Sequence, residues 1–361
     1  MILERLIERA ISIQSIPAPT FSEGARAAWI YKEFDQLDIS KPERDPTGNI
    51  YLRIPGAEKL PVVVSAHLDT VFPMETPLQV KRTSNCIYGP GIGDNAISLA
   101  VLLELAEDLK NTHLPGDVWL VATVGEEGLG NLLGMRQVVS RFSDQVSAYI
   151  ILEGMSLGHI YHKGSHIRRF RISATGPSGH PWIHNRRPSA IHTLIEISHE
   201  MLALALPSSP KTILNVGLFH GGTTINSIAG QAYFEIDLRS EEAQTLDRLT
   251  RRIEDVVTSH EVDDLFLKSK MIGERVGGHL PENHPLVKAA KQALQSAGQK
   301  TISLETGSTD ANVPLSMGLP AVCVGLTYGG GAHSLEEYIE ISPIGKGYEF
   351  THNLIHLAFE L

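Results

Sequence analysis

The sequence predicts an α/β fold: a domain on a mainly parallel sheet, assembled from two chain segments, with a smaller α+β (βαββαβ) module inserted between them. Three observations carry this. Before residue 164, short β-branched apolar runs alternate with a long apolar helical segment, the βαβ rhythm of a parallel sheet covered on both faces. Beyond Gly164 the pattern changes to polar–apolar alternation, which suits half-exposed antiparallel strands. From about Leu286 the first texture returns.

Taken in order, MILERLIERAISI spaces its apolar residues as an amphipathic surface helix rather than as the continuous core of a signal peptide. Pro61–Ala66 (PVVVSA) predicts a buried strand that ends at His67. Ile97–Leu109 (ISLAVLLELAEDL) is nearly all apolar and predicts a deeply packed helix. Asp117–Val124 predicts a second buried strand, ending at Gly125-Glu126-Glu127, and Ala148–Leu152 a third, ending at Glu153. In the insertion, Arg168–Thr175 predicts a strand and about Pro188 to Leu206 a helix. Strands at Thr212–Gly217 and Gln231–Leu238 follow, then a charged helix from about Glu241 to Ser259 and a strand over Asp264–Ile272. That β-α-β-β-α-β order makes a module with one sheet face under helices. Helix LVKAAKQALQSAG and strand Pro320–Gly325 rejoin the first domain. The expected boundaries are 1–164, 165–276 and 277–361.

Composition narrows the function classes. With 361 residues, 42% of them hydrophobic, the chain can bury a large core without covalent staples. Its two cysteines, Cys86 and Cys323, have no metal-ligand or redox spacing, which fits a reducing compartment. A formal charge of −10 without basic runs argues against a nucleic-acid partner. No stretch approaches the roughly 20 apolar residues of a membrane span, so no membrane partner is expected and the chain reads as cytoplasmic.

Ligands of open α/β sheets gather at the carboxyl ends of strands. There the sequence places His67-Leu68-Asp69, Glu126-Glu127 and Glu153, with Asp94 at the opening of the buried helix. His333, after Gly329-Gly330-Gly331, offers a second imidazole from a loop. Imidazoles mixed with carboxylates suit zinc, and a shared carboxylate can hold two ions about 3.5–4 Å apart. Singly, each residue has a plainer reading. His67 is then a satisfied strand-end histidine, Asp94 a helix N-cap, Glu126-Glu127 a solvated turn, Glu153 a strand-end charge and His333 a loop histidine. Gathered at one sheet edge, such groups are costly without a shared cation, and that favours a metal centre.

These blocks, His67-Leu68-Asp69-Thr70-Val71, Gly93-Asp94-Asn95, Gly125-Glu126-Glu127-Gly128, Glu153 and Ala332-His333-Ser334, resemble the signature of the zinc-dependent exopeptidases and deacylases. That family includes glutamate carboxypeptidase, acetylornithine deacetylase, succinyl-diaminopimelate desuccinylase and tripeptide aminopeptidase. The resemblance runs over nearly the whole chain, and the insertion looks like the family's lid, or dimerisation, domain. It implies two Zn²⁺ (Co²⁺ or Mn²⁺ also suit such donors), bridged by Asp94, with His67 and Glu153 completing one site and Glu127 and His333 the other. Glu126 is then the general base, taking the proton of a water whose pKa zinc lowers towards about 7, and Asp69 holds His67 from behind.

The resemblance also supplies expectations in the insertion. His180, in Gly176-Pro177-Ser178-Gly179-His180, matches the family's lid histidine, which reaches the neighbouring subunit's active site, and so implies a homodimer through the lid. Asn226 and Arg239 fall where the family binds the substrate's carboxylate or backbone, and Ser308, in Gly307-Ser308-Thr309-Asp310, lies on a substrate-side loop. Plainer readings make His180 and Asn226 turn residues and pair Arg239 with Asp237. Two departures stand out: Asn95-Ala96-Ile97 replaces the small or basic run many members carry, and His184 stands close to His180. Glu rather than Asp at 153 resembles the deacylases and carboxypeptidases more than the tripeptide aminopeptidases. The expected substrate is therefore a small peptide or N-acyl amino acid with a free carboxylate.

Three rivals are weaker. Gly154-Met155-Ser156-Leu157-Gly158 fits the G-x-S-x-G elbow of serine hydrolases, but the residues after it read as extended where that motif needs a helix. A non-catalytic binding relative should have lost Glu126 or a ligand, and none is missing. A dinucleotide fingerprint fails at Gly89-Pro90-Gly91-Ile92-Gly93, which follows no strand pattern and is broken by Pro90.

Overall fold

Alternation in the first segment resolves into an eight-stranded, mainly parallel sheet. Its strands lie in the order Glu43–Arg44, Ile50–Ile54, Gly116–Thr123, Lys59–His67, Ala148–Glu153, Ala321–Gly325, His159–Gly164 and Ser303–Gly307. The computed structural model describes residues 2–361. It divides into two units, one comprising the residues up to Gly164 with Gly278–Leu361, the other Ser165–Gly277.

In the larger unit, Lys59–His67 runs parallel to both neighbours, and Ala321–Gly325 runs parallel to Ala148–Glu153. Val62, Val64, Val118, Leu120, Ile150 and Val322 are fully buried, which is why these strands read as continuous apolar runs. Register decides where the polar groups emerge. His67 pairs with Thr123 and Ser65 with Ile151, so the strands bearing His67, Glu153 and the turn at Gly125 end along one edge.

Helix Ile97–Leu109 is buried along almost its whole length, and so is its one mid-helix acid, Glu104. That carboxylate is ion-paired with Arg5 and, at 2.6 Å, with Arg9, both from helix Ile2–Gln14. The first helix thus presents Leu6, Ile7, Ala10 and Ile13 to the core on one face and cations beside it. Antiparallel pairing of Gly329–Gly330, Tyr338–Glu340, Cys86–Tyr88 and Lys81–Arg82 forms a small sheet that ties the loops before Asp94 and around His333 together.

Arg26 is the largest buried polar side chain of this unit, 1% exposed. Its guanidinium donates to the carbonyl of Leu68 at 2.7 Å and to that of Ile16 at 2.7 and 3.1 Å, so it anchors the turn that follows His67. Burial lowers its pKa to about 10, leaving it charged at neutral pH. Arg26→Met removes the donors but keeps the bulk. We expect it to cost roughly 2–3 kcal/mol, the penalty of stranding buried carbonyls; an unchanged urea midpoint would contradict this.

The smaller unit is a four-stranded antiparallel sheet in the order Thr212–Gly221, Gln231–Ser240, His166–Thr175, Phe266–Arg275. Helices Ala190–Leu202 and Ala243–Ser259 cover one face, where Phe170, Ile172, Phe234 and Ile236 meet Leu194, Ile197, Leu249 and Ile253. The first helix is shorter than its apolar pattern suggests. Ser189 is extended at its start, and the chain leaves the helix at Ala203, four residues before Pro207. Strand Thr212–Gly221 continues beyond the expected Gly217 because a bulge between Val216 and Leu218 absorbs that glycine. Among the described residues no helix is long and apolar enough to cross a membrane.

Candidate metal centre

Asp94 is not the N-cap of the buried helix; Ala96, already helical, occupies that place. Asp94 sits in the preceding turn with φ −117° and ψ 83°, which leaves its carboxylate free to face the sheet edge. Its Oδ1 lies 3.0 Å from His67 Nε2, and its Oδ2 3.3 Å from His333 Nε2. Around His67 Nε2 the second acid is Glu153, at 3.7 Å; around His333 Nε2 it is Glu127, at 3.3 Å. Two histidine–glutamate sets therefore meet on the two oxygens of one aspartate. His333 reaches its place with φ 64°, a left-handed conformation uncommon outside glycine, two residues after Gly331 at φ 71°.

Donor chemistry tests whether these residues fit divalent ions. Two ligands about 2.0–2.1 Å from one tetrahedral ion stand about 3.3 Å apart, and the imidazole–carboxylate separations are 3.0–3.7 Å. Donor atoms of His67, Asp94 and Glu127 also lie within 4.8 Å of one another. His67 Nδ1 is 3.0 Å from the Asp69 carbonyl, so it donates there and turns the lone pair of Nε2 toward the acids. The residues fit.

Titration behaviour points the same way. Burial, then the charge of Asp94, pushes the Glu127 carboxyl up to about 7. Glu153 is likewise pushed up to about 7, by burial first, against the pull of His67. Hydrogen bonds to Asp94 and Glu127 lift His333 to about 10. Burial pulls His67 down, but the carboxylates of Asp69, Asp94 and Glu153 more than offset it and raise its pKa well above the usual value. A group of acids this close holds protons unless another cation takes their place.

Behind these side chains, Asp69 meets His67 through its main chain as well as its carboxylate. Its carbonyl is the partner of His67, while its carboxylate, 3.6 Å from that ring, accepts the backbone N–H groups of Glu126 at 2.9 Å and Glu127 at 2.8 Å. Thr20 Oγ1 donates to the same carboxylate at 2.9 Å. Asp69 thus sets the turn that carries Glu126, whose residue is only 5% exposed. Glu126 is close enough to Glu127, Glu153 and Asp310 to raise the pKa of each.

Sequence reasoning missed two acids here. Glu23 accepts from Gly125 N–H at 3.0 Å, and its only sequence signal, Thr20-x-x-Glu23, announces a helix start. Glu337 is fully buried and accepts from the amides of Gly91, Gly93 and Asp94. A second glutamate beside Glu336 carries no signal of burial.

Ser308 lines a cavity of about 240 Å³ in the larger unit, with Asp94, Glu153, Met155, Ser156, Tyr161 and Thr309. Ser156 is in the turn between two strands, and the chain continues as strand His159–Gly164, so the helix a serine elbow requires does not follow. The other three expected residues belong to the smaller unit. His180 is exposed and its Nδ1 accepts from Trp182 N–H at 3.3 Å, whereas His184 is half-buried and its Nδ1 accepts from His180 N–H at 3.0 Å. Asn226 is exposed in the loop before Gln231. Arg239 Nε donates to Asp237 at 2.6 Å, and Asp237 also binds Arg169 at 2.8 Å. A cavity of about 720 Å³ in that unit, lined by Arg171, Ser173, His220 and Tyr233, contains none of the three.

Comparison with known proteins agrees with this architecture. An acetylornithine deacetylase from Pectobacterium carotovorum is 26% identical over 331 residues, covering 85% of this chain and 82% of its own. A tripeptidase structure from Staphylococcus aureus superposes with a TM-score of 0.80 at 21% identity, covering 99% of both chains. An M20 family metallo-carboxypeptidase from Sulfolobus solfataricus does so with a TM-score of 0.78 at 15% identity, again over 99% of both. The model of peptidase family M20/M25/M40 matches residues 63–357. That span holds the strand ends at His67 and Glu153 and the inserted module alike, and the chain belongs to peptidase family M20/M25/M40, a family of metal-dependent hydrolases.

Proposed function

We propose that this protein is a dinuclear zinc amidohydrolase that cleaves a peptide or amide bond beside a free carboxylate, as a carboxypeptidase or an N-acyl-amino-acid deacylase. The observation that carries the reading is the convergence of two histidine–glutamate sets on the two oxygens of Asp94. His67, Asp94 and Glu153 would hold one ion, and Asp94, Glu127 and His333 the other. Bound there, zinc supplies Lewis-acid polarisation of the scissile carbonyl and a water acidic enough to ionise near pH 7. With the site loaded, Glu126 would serve as general base, taking a proton from the attacking water and handing it to the leaving amine. Asp69, by holding the amides of Glu126 and Glu127, keeps base and ligand in fixed relation. In a homodimer joined through the smaller unit, His180 would act on the partner's site, and Asn226 and Arg239 would take the substrate's carboxylate.

The cavity beside Asp94 and Glu153 refines the substrate class. Among its described lining residues none is Lys or Arg, while Ser156, Tyr161, Ser308 and Thr309 offer hydroxyls. With no cationic side chain in its lining, this cavity offers a substrate carboxylate no partner from the chain, and we place that carboxylate at Asn226 and Arg239 instead. The same lining also suits the free amine of a tripeptidase substrate, which is the second reading.

Product release from zinc-loaded protein separates the two. One set of substrates is N-acyl amino acids and amine-blocked dipeptides with a free C-terminus; the other is tripeptides with a free amine and an amidated C-terminus. Cleavage confined to the first set is expected. Cleavage confined to the second would make the protein an aminopeptidase and overturn the inference from Glu153.

A further inference from the structure

We propose that Glu337 is a positioning residue whose carboxylate fills a nest of backbone amides in the Gly89–Asp94 turn and so fixes Asp94 and His333 relative to each other. The glycine run that fails as a dinucleotide fingerprint finds its use here. Glu337 Oε1 accepts from Gly93 N–H at 2.7 Å and Asp94 N–H at 2.8 Å, and Oε2 from Gly91 N–H at 3.0 Å. Its own carbonyl accepts from Gly89 N–H at 2.9 Å. Successive amides pointing into one concavity form an anion site of the kind that elsewhere binds phosphate. In this chain the anion is a fully buried side chain from 243 to 246 residues away in sequence.

Glycine suits the wrapping, at 91 for its backbone and at 93 for its space. Gly91 has φ 76°, and a Cβ on Gly93 would stand 2.9 Å from Met155 Cγ and Sδ. Both ends of the contact lead to the centre. Asp94, whose own amide is one of the donors, bridges the two sets, and Glu337 follows His333 by four residues in the same loop. Pairing of Tyr338 with Tyr88 and Ile339 with Ile87 continues the link as a small sheet. Without the carboxylate, three inward amides would lose their acceptor, and the turn would have to open to reach water.

The inference rests on Asp94 and His333 being metal ligands, and its test reads metal binding apart from turnover. Zn²⁺ and Co²⁺ affinities are measured by chelator competition on wild type, E337Q and E337A. E337Q is expected to weaken metal binding by about 10–100-fold, the range for a residue that orients ligands. E337A should weaken it at least as much, and kcat should fall while KM changes little. Zinc affinity within threefold of wild type in E337Q would overturn the proposal. Should the variants not fold, hydrogen exchange on metal-free wild type decides. Slow exchange at the amides of Gly91, Gly93 and Asp94 is expected, and fast exchange there would sink the idea. A wild type that binds neither ion would overturn the metal-centre reading and this proposal together, whereas tight binding without amidase activity would leave this one standing.

Discussion

Glu126→Ala is expected to keep its bound metal and lose at least 10²-fold in turnover, the lower range for removing a general base. The reason is positional. Glu126 is near both histidine–glutamate sets, since its charge raises the pKa of Glu127 and of Glu153; its neighbour Glu127 faces His333 at 3.3 Å, while its own amide is fixed by Asp69 Oδ1 at 2.9 Å. The backbone of that turn is therefore held whether or not the side chain at 126 is present, because Asp69 grips amides and not the carboxylate. Glu126→Gln makes the sharper comparison, since it preserves shape and removes only the capacity to take a proton. Both variants should bind two equivalents of zinc by elemental analysis. Turnover within tenfold of wild type would remove Glu126 from the base role, and loss of metal would move it among the ligands.

How far the site could be read beforehand depends on what kind of interaction each residue makes. His67 and Glu153 end strands whose apolar runs are unmistakable, and once the strands are parallel and in register their side chains must emerge together. Asp94 is harder, because a short polar residue before an apolar helix is most often a cap; its company with the other acids, and the resemblance of Gly93-Asp94-Asn95 to the family's signature, point away from that. The α/β class and the inserted module followed from periodicity, but helix ends did not, as the early stop at Leu202 shows. Arg26, Glu23 and Glu337 were invisible for a common reason. Each makes its bonds to backbone groups of a distant loop, Leu68, Gly125 and Gly91–Asp94 respectively, and a backbone acceptor or donor has no residue type to betray it.

Asp94→Asn should be the most damaging single substitution in the centre, lowering turnover by more than roughly 10³-fold because water activation goes with the ions. Burial pushes the Asp94 carboxyl up, but hydrogen bonds to His333 and His67, with their charge, more than offset it and hold the group well below the ordinary carboxylate range. The residue is therefore an anion at neutral pH, and both oxygens are engaged, at 3.0 Å and 3.3 Å. Asparagine keeps the shape but must turn an NH₂ toward one of the two sets, placing a donor where a ligand lone pair is needed. Glu153→Ala or Glu127→Ala removes a donor from one set only, so either should leave the other set able to hold an ion. Elemental analysis distinguishes these cases: Asp94→Asn is expected to lose more metal than either glutamate variant. If Asp94→Asn instead retained both ions and turned over within tenfold of wild type, the two sets would be independent sites, and Asp94 would be a structural acid between them, not the ligand they share.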